Sequence, residues 1–475
     1  MEISWHTKTF SLLFFFIFSR LAPSKACHPV DKEALLDFKH RITDDPSKLL
    51  LSWTASSDCC TSWEGVACDA SGRVVDVSRP GLVSDNDFVE DTYMSGTLSP
   101  SLGNLSSLQL LDLSNLKDLK GPIPQELGKL TKLTHLFLNT NKLTGAIPIT
   151  LSIPQSIGGL AALELLYLNQ NHLTGRIPST ISGLGSMIFC RLSENKLSGS
   201  LPPSIGLLSK IQRLILENNK LTGKLPSALP PQLGKLKSLQ TLDLSYNPLG
   251  LVRIPDWFRE LRVFRLMLAK TGIEGELPHW LSSSSISQLD FRPSPVEFKN
   301  LSLLMDLDIH SNKFSGRLNV IFSKEVQDPL GHFNSIDLSS NIFTGPVDDD
   351  MGERPAMASI SSLILSHNPF RGPLPKSVGK LRELQVLKLV NTGLSGNIPV
   401  ELGDARELST VLLSKNKLTG AIPETLLNLK ELKQFDVSSN KLRGRIPPHK
   451  AILPVSAFKN NPGLCGPPLP PCKRI

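Results

Sequence analysis

The chain has 475 residues, of which 40% are hydrophobic and 20% are charged, and its formal net charge is +8. This composition permits one long core or several compact ones and does not choose between them. The positive charge is modest and scattered, which argues against nucleic acid as a partner. It fits ordinary solubility better than contact with a polyanion such as wall pectate, which we keep as a weak partner.

The first 26 residues have the features of a signal peptide. Lys8 precedes an apolar run at 10–18, and the small residues Ser24 and Ala26 stand where a signal peptidase reads. A run of nine residues is shorter than the roughly 20 that cross a bilayer. We therefore expect the mature chain to begin at Cys27, to contain no transmembrane span, and to be secreted to the extracellular space or cell wall.

The seven cysteines follow from this expectation, because secretion favours disulfides. One stands alone in the middle: Cys190 occupies an inward leucine position, so we expect a buried, reduced thiol. The other six lie at the two ends of the chain, where they would close its core, and the four at the start permit three pairings. These six are Cys27, Cys59, Cys60, Cys68, Cys465 and Cys472.

Between the cysteines, one motif occurs in fourteen copies, most of them 24 residues apart. Two copies read LTHLFLNTNKLTGAIP (133–148) and LQVLKLVNTGLSGNIP (384–399). In L-x-x-L-x-L, alternate side chains point inward, so each copy predicts one short strand of a parallel sheet. The later Gly permits a tight backbone path, and the Pro ends strand pairing before the outer side. The period is typical of leucine-rich repeats.

An Asn follows the strand in most copies, as Asn141 does in the copy at 133–148. Its amide both donates and accepts hydrogen bonds, so a stacked column of these residues would satisfy buried backbone groups at the turn. Thr271, Thr392 and Ser294 replace the Asn in three copies. We expect these three residues to complete the column less fully.

The segments LTGAIP and LSGNIP resemble the plant-type leucine-rich repeat. Residues 31–69 resemble the cap that precedes such repeats in plant receptor-like proteins, receptor-kinase ectodomains and polygalacturonase inhibitors. The resemblance implies an α/β solenoid: a right-handed superhelix of about 14 repeats with a concave parallel β-sheet and disulfide-stapled caps. It implies the pairs Cys27–Cys59 and Cys60–Cys68, and Cys465–Cys472 in the closing segment 457–472.

Within the N-terminal cap, we expect Ala34, Leu35, Phe38 and Ile42 to share one face of a short helix, with Trp53 and Trp63 closing the first coil. The predicted domains are a signal peptide (1–26), an N-terminal cysteine cap with a first irregular coil (27–105), plant-type repeats (106–447) and a C-terminal cap (448–475). Lys388 and Val390 stand where some peptide-hormone receptors present two arginines. The ligand of that receptor subgroup is therefore not carried over.

The residues between the inward leucines predict the surface of the concave sheet. The central one in each copy is, in order, Asp112, Phe137, Tyr167, Arg191, Ile215, Asp243, Met267, Asp290, Asp308, Asp337, Ile364, Lys388, Leu412 and Asp436. The aspartates are common in this repeat type. Four consecutive copies differ, because aromatic residues and arginines stand together there, as in the centre of a protein interface. This concave cluster comprises His135, Phe137, Leu165, Tyr167, Phe189, Arg191, Arg213 and Ile215.

Three interpretations of the concave cluster remain open, namely partner binding, side-to-side packing along the sheet, and concealment by a glycan. The sequence contains no H-E-x-x-H, G-x-S-x-G, phosphate-binding glycine loop or kinase signature, so we expect binding, not catalysis, with no cofactor and no metal. The sequons at Asn104 and Asn300 predict N-linked glycans.

Three functions fit these features. The first is a secreted recognition protein that binds a peptide, a microbial molecule or a receptor-kinase ectodomain in signalling or defence. The second is an inhibitor of a cell-wall-degrading enzyme, whose partner would be a secreted glycosidase. The third is a wall-associated structural or ice-binding protein, for which a flat, Thr-rich face would be expected.

Overall fold

The L-x-x-L-x-L segments form the strands of one long sheet in the computed structural model of this chain. The structure describes residues 26–81, 92–148, 150, 159–222, 236, 238–250, 254, 263–278, 303–324, 326 and 331–472. The predicted signal peptide lies outside these residues except for residue 26. Asn300 also lies outside the described residues.

The N-terminal cap begins with helix α1 (Pro29–His40), strand β1 (Ile42–Asp44) and helix α2 (Cys59–Ser62). Ala34, Leu35 and Phe38 are buried on α1, as one apolar helix face requires. Ile42, expected on the same helix, instead begins β1, because the helix ends at His40. Trp53 and Trp63 are buried and stacked, with ring centroids 5.3 Å apart.

The fifteen-stranded sheet is parallel from its second strand onward, and its first strand pairs antiparallel. Most strands have three residues, with the middle one buried and its neighbours more exposed, which is the alternation that the motif predicts. In sheet order the strands are β2 (Val66–Cys68), β3 (Val74–Ser78), β5 (Leu110–Asp112), β7 (His135–Phe137), β9 (Leu165–Tyr167), β11 (Phe189–Arg191), β13 (Arg213–Ile215), β15 (Thr241–Asp243), β16 (Arg265–Met267), β18 (Asp306–Asp308), β20 (Ser335–Asp337), β21 (Ser362–Ile364), β22 (Val386–Lys388), β24 (Thr410–Leu412) and β26 (Gln434–Asp436).

Two strands of neighbouring predicted copies differ from the expected order. β16 pairs directly with β18, with Leu266 opposite Leu307, so no strand lies between them in the described sheet. Asp290, predicted as the central residue of a copy at this place, and Ser294 of the same copy lie outside the described residues. Strand β3 of the cap joins the sheet beside β5.

A second set of short strands, which was not predicted from the sequence, lines one flank of the solenoid. The segments after the Asn pair with one another as a five-stranded sheet and four two-stranded sheets. The strands are β4 (Ser95–Thr97), β6 (Leu119–Pro122), β8 (Lys142–Ala146), β10 (His172–Thr174), β12 (Ser198–Gly199), β14 (Lys220–Leu221), β17 (Glu274–Glu276), β19 (Lys313–Ser315), β23 (Ser395–Asn397), β25 (Lys417–Thr419), β27 (Arg443–Arg445) and β28 (Gly463–Cys465), with β1 at the edge of the five-stranded sheet.

Short helices cover the convex side, and several begin directly after the Pro that ends the motif. Two are α-helical, α3 (Asn319–Phe322) and α4 (Glu424–Leu427). The 3-10 helices are Pro100–Asn104, Gln125–Lys129, Ser179–Gly183, Pro203–Leu207, Met351–Glu353, Pro355–Met357, Lys376–Lys380, Val400–Asp404 and Val455–Phe458. Successive helices stack so closely that a Cβ at Gly379 would lie 2.0 Å from the carbonyl oxygen of Glu401.

The Asn column forms a hydrogen-bond ladder between neighbouring coils, which is interrupted at Thr271 and Thr392. Asn195 is typical: its Nδ2 donates to the carbonyls of Leu168 (2.9 Å) and Leu192 (3.1 Å), and its Oδ1 accepts the N–H of Leu173 (3.0 Å). One amide thus satisfies backbone groups of two neighbouring coils. Asn461 of the C-terminal cap extends the ladder in the same way, accepting from the N–H of Leu442 (3.0 Å). Asn461 was not among the predicted positions of the Asn column.

The threonines satisfy the ladder less fully, as expected. The hydroxyl of Thr271 donates to the carbonyl of Leu268 within its own coil, 2.7 Å away. It supplies no bond to the preceding coil, where the N–H of Leu249 bonds to the carbonyl of Asn247 instead (2.8 Å). Thr392 repeats this arrangement.

Disulfides and one buried ion pair hold the ends. Cys27 pairs with Cys59, Cys60 with Cys68, and Cys465 with Cys472. The fully buried carboxylate of Asp31 accepts from the guanidinium of Arg73 at 2.8 and 2.9 Å and from the N–H of Val74 at 2.9 Å. These bonds fix helix α1 against strand β3.

The core between the ends is one continuous apolar cluster. The thiol of Cys190 is fully buried in it and unpaired, and burial raises its pKa to about 12, so it is a packing residue. Within the described ranges, no helix is both long and apolar enough to cross a bilayer.

Candidate ligand-binding face

The fold places all eight residues of the concave cluster on four adjacent strands, β7, β9, β11 and β13. They form two rows across the sheet: His135, Leu165, Phe189 and Arg213 lie opposite one another in register, and so do Phe137, Tyr167, Arg191 and Ile215. Their side chains point away from the core because they alternate with the buried residues Leu136, Leu166, Cys190 and Leu214. The cluster is therefore one surface.

The aromatic half of the cluster is packed side to side. The rings of Phe137 and Tyr167 have centroids 5.0 Å apart, and His135 meets Phe137 edge-on at 5.8 Å. The packing interpretation therefore holds for this half, because these side chains support one another. They remain only half buried, and partner binding stays a prediction. Cross-strand aromatic packing holds the rings in place, which lowers the entropy that a ligand must remove on binding.

Partial burial changes the titration of both ionisable members of this half. Burial lowers the pKa of His135, with Glu164 opposing the change, so the neutral ring is favoured. Burial also raises the pKa of Tyr167, against the opposing charges of Arg213 and Arg191. The hydroxyl of Tyr167 therefore stays protonated and able to donate.

The basic half of the cluster is exposed. The guanidinium of Arg213 lies over the ring of Phe189, 5.0 Å from its centroid. Arg191 lies in register between Tyr167 and Ile215. Among the described residues neither arginine forms an ion pair, whereas Arg265 further along the sheet bonds Asp306 through Nε at 2.6 Å. The two guanidinium groups are available to a ligand.

An acidic patch follows on the same face. Its aspartates stand at a repeat position where Asp is common, so no binding role was predicted for them. It comprises Glu217, Asp243, Asp308 and Asp337. Burial raises the pKa of Glu217, and the neighbouring Asp243 and Glu194 raise it further. Burial also raises the pKa of Asp243, which is only 5% exposed although it stands at an outward position. The signal in the sequence was the recurrence of Asp at one repeat position.

His310 links this patch to an exposed aromatic ring. Its Nδ1 lies 2.6 Å from Oδ1 of Asp308, and its Nε2 lies 3.1 Å from the hydroxyl of Tyr246. The ligand atoms of Asp308, His310 and Asp337 lie within 4.8 Å of one another, a spacing that could hold a metal ion. Both ring nitrogens of His310 are already engaged, so the geometry favours a hydrogen-bonded cluster over a metal centre.

A groove of about 1470 Å³ lies away from this face, among residues 349–407. Two ion pairs border it: Lys376 with Glu401 at 3.0 Å, and Lys380 with Glu353 at 2.8 Å. The charges of these four side chains therefore offset one another, and they are less available to a ligand than the arginines of the concave face. Asn104 is exposed at the end of a convex-side helix, so a glycan there would leave the concave face open.

Sequence comparison agrees with this architecture. A family model for the leucine rich repeat N-terminal domain matches residues 28–69, and a leucine rich repeat model matches residues 162–184, 210–231, 238–261 and 359–381. The chain thus carries a leucine rich repeat N-terminal domain followed by leucine-rich repeats. It is similar to Receptor-like protein 7 of Arabidopsis thaliana, with 41% identity over 131 residues that cover 27% of this chain and 12% of the relative.

Solved structures similar to this chain include two complexes. The PEPR1–AtPEP1 crystal structure is 29% identical with a TM-score of 0.66, covering 88% of this chain and 52% of that one. The plant peptide hormone receptor RGFR1 in complex with RGF2 is 27% identical with a TM-score of 0.60, covering 78% and 58%. The chain thus spans less than two thirds of these relatives. Its fold is that of plant leucine-rich repeat ectodomains.

Proposed function

We propose that this leucine-rich repeat protein is an extracellular recognition protein that binds a peptide ligand on its concave face, in signalling or defence. The observation that carries the proposal is the concave cluster itself: two exposed arginines that form no ion pair within the described part of the chain, beside packed, half-buried aromatic rings. This composition is enriched at the centres of interfaces. The similarity to a plant peptide hormone receptor in complex with its ligand supports a peptide over other ligand classes.

The proposal extends to the domain division. Residues 1–26 serve as a signal peptide, 27–105 as the N-terminal cap with the first coil, 106–447 as the repeats and 448–475 as the C-terminal cap. N-linked glycans on Asn104 and Asn300 belong to the same proposal. A receptor-kinase ectodomain is the second partner we propose, as a co-receptor that contacts the ligand-bound protein.

The test uses the full chain, secreted from plant cells, and a triple variant with Phe137→Ala, Tyr167→Ala and Arg191→Ala. Each is incubated with the peptide fraction of extracellular fluid, and retained peptides are identified by mass spectrometry. We expect the wild type to retain specific peptides that the variant loses, with the melting temperatures of the two proteins similar because the substituted side chains are outside the core. Equal retention by both proteins would reject the concave cluster as the site.

A second arm uses the protein fraction of the same fluid and reports the partner class. Recovery of a secreted glycosidase, with inhibition of its activity by the purified chain, would replace the proposal with the inhibitor function. Recovery of a receptor-kinase ectodomain only when the retained peptide is present would support the co-receptor part of the proposal.

A further inference from the structure

The charge of the concave face changes sign along the solenoid. Arg191 lies on β11 with Glu194 after it, Arg213 lies on β13 with Glu217 after it, and Asp243 lies on β15. Arg265 on the next strand, β16, is paired with Asp306. Asp308 and Asp337 continue the acidic patch on β18 and β20. A ligand lying along the face therefore meets positive charge first and negative charge next.

The basic end presents two exposed guanidinium groups to an anion. Arg213 lies over Phe189, and Arg191 lies in register beside Tyr167. A hydrogen bond between a guanidinium and a carboxylate is charge-assisted and therefore stronger than one between neutral groups. Leu165 and Phe137, half buried beside them, offer contact to apolar side chains of the same ligand.

The acidic end suits a cation. Desolvation and the neighbouring Asp243 and Glu194 both raise the pKa of Glu217, which shows that negative charge is crowded there. Asp308 also contributes to the raised pKa of Asp243. A ligand ammonium or guanidinium placed among these carboxylates would relieve their mutual repulsion.

The separation of the two ends sets the ligand's length. Asp243 lies two strands from Arg191, and Asp308 lies four strands from it. At about 4.8 Å between strands, these separations are roughly 10 and 19 Å. An extended peptide that rises about 3.3 Å per residue covers them in about three and six residues.

We propose that the concave face selects an extended peptide with acidic and aromatic side chains over the concave cluster and a basic side chain about three to six residues further along, over Asp243 and Asp308. This inference rests on the proposed function and adds the ligand's charge order to it. The peptide can run in either direction along the face, because the spacing constrains only the distance between its acidic and basic side chains.

The test uses two synthetic 12-residue peptides of identical composition, fluorescently labelled and blocked at both ends. In the segregated peptide, two Glu flank a Phe near one end and two Lys begin six residues later. In the mixed peptide, the Glu and Lys alternate. We expect the segregated peptide to bind the full chain about ten times more tightly in fluorescence anisotropy, since each charged contact is worth roughly a tenfold change or more.

Variants assign the effect to the two patches. Arg191→Glu with Arg213→Glu should weaken binding of the segregated peptide by roughly ten- to a hundredfold, and Asp308→Asn with Asp337→Asn should also weaken it. Lys388→Glu is the matched control, because Lys388 lies on β22 of the same face, outside both patches. It should leave the affinity unchanged.

The outcomes separate the inference from the proposed function. Equal binding of both peptides, lost in the Phe137→Ala, Tyr167→Ala variant, would keep peptide recognition and overturn the charge order. Failure of both peptides to bind would also overturn the charge order, while the natural peptide fraction tests recognition independently. Loss of binding in Lys388→Glu equal to that in the arginine variant would show general charge attraction and reject the inference.

Discussion

Asp76 on β3 shows how one residue of this solenoid depends on its surroundings. Its Oδ1 is buried without a hydrogen-bond partner among the described residues. Burial, with a smaller contribution from the charge of Asp112, raises its pKa to about 6 from the ordinary 3.8. A carboxylate that lacks donors is costly to ionise in the fold, so the folded state prefers the protonated form.

Stability should therefore fall as pH rises through this range. The raised pKa contributes stability that is fully present below about 3.8 and is lost as pH rises through about 6. Asp76→Asn keeps the shape without the charge, so at pH 7 it should raise the free energy of unfolding by about 1–2 kcal/mol, allowing for solvent screening. At pH 3.5 it should change little, as measured by chemical denaturation.

The control for this prediction is Asp404→Asn, which removes an exposed carboxylate on the convex side. It should change stability little at either pH. An equal gain from Asp76→Asn at pH 3.5 and pH 7 would contradict the burial argument, because the gain would then come from the amide and not from the lost charge.

At the scale of elements, the spacing of the convex helices depends on small residues at one repeat position. Gly379 lies in the helix Lys376–Lys380. The space that a Cβ would need there is occupied by the backbone of Glu401 in the next coil. Gly128 has the same relation to Thr150. The repeat motif predicts the glycine of L-x-G-x-I/L-P but not this second glycine. The reason is that the backbone of the next coil approaches the second glycine only when the coils stack.

Gly379→Ala should lower the free energy of unfolding by about 1–3 kcal/mol, since the new methyl group would lie 2.0 Å from the oxygen of Glu401 and force the two coils apart. Gly185→Ala is the matched control, because a Cβ there meets nothing within 4 Å. That control should be neutral or slightly stabilising. Comparable melting temperatures for the two variants would show that the helices shift apart at no cost.

At the scale of the whole molecule, each coil contacts only its neighbours, so stability is local and the ends need lids. The C-terminal cap accepts hydrogen bonds from backbone N–H groups of the last coil. Val437 donates to the carbonyl of Ala457, and Ile446 donates to the carbonyl of Cys465. Leu442 donates to Oδ1 of Asn461. Asn461 thus acts as the final residue of the ladder as well as part of the cap.

Removing the disulfide of this lid, with Cys465→Ser and Cys472→Ser, should accelerate hydrogen exchange at the amides of Val437, Leu442 and Ile446. The disulfide limits the freedom of the loosened segment, and without it the last coil opens more often. Amides of the central coils, such as Leu192 and Leu216, should keep their protection and serve as the internal control. Uniform loss of protection along the chain would show that the solenoid unfolds as one unit.

The sequence predicted the repeat architecture well because its pattern is local. Inward leucines, the Asn position and the weaker Thr substitutions follow from side-chain alternation and amide chemistry within one coil, and the structure confirms them at Asn195 and Thr271. Its grouping of His135, Phe137, Tyr167 and Arg191 on one surface also follows from the period, because residues one repeat apart become neighbours.

What the sequence could not determine depends on contacts between coils. The motif predicts a further copy between Leu266 and Leu307, yet these two residues lie opposite each other because β16 pairs directly with β18. The crowding of Asp243 with Asp308 was not predicted, because Asp is common at this repeat position and only the stacking of coils brings the carboxylates together. By itself the sequence determined the coil, through periodicity and turn chemistry. The tertiary structure decided which coils pair and which charges meet, because register and electrostatic repulsion arise only between neighbours.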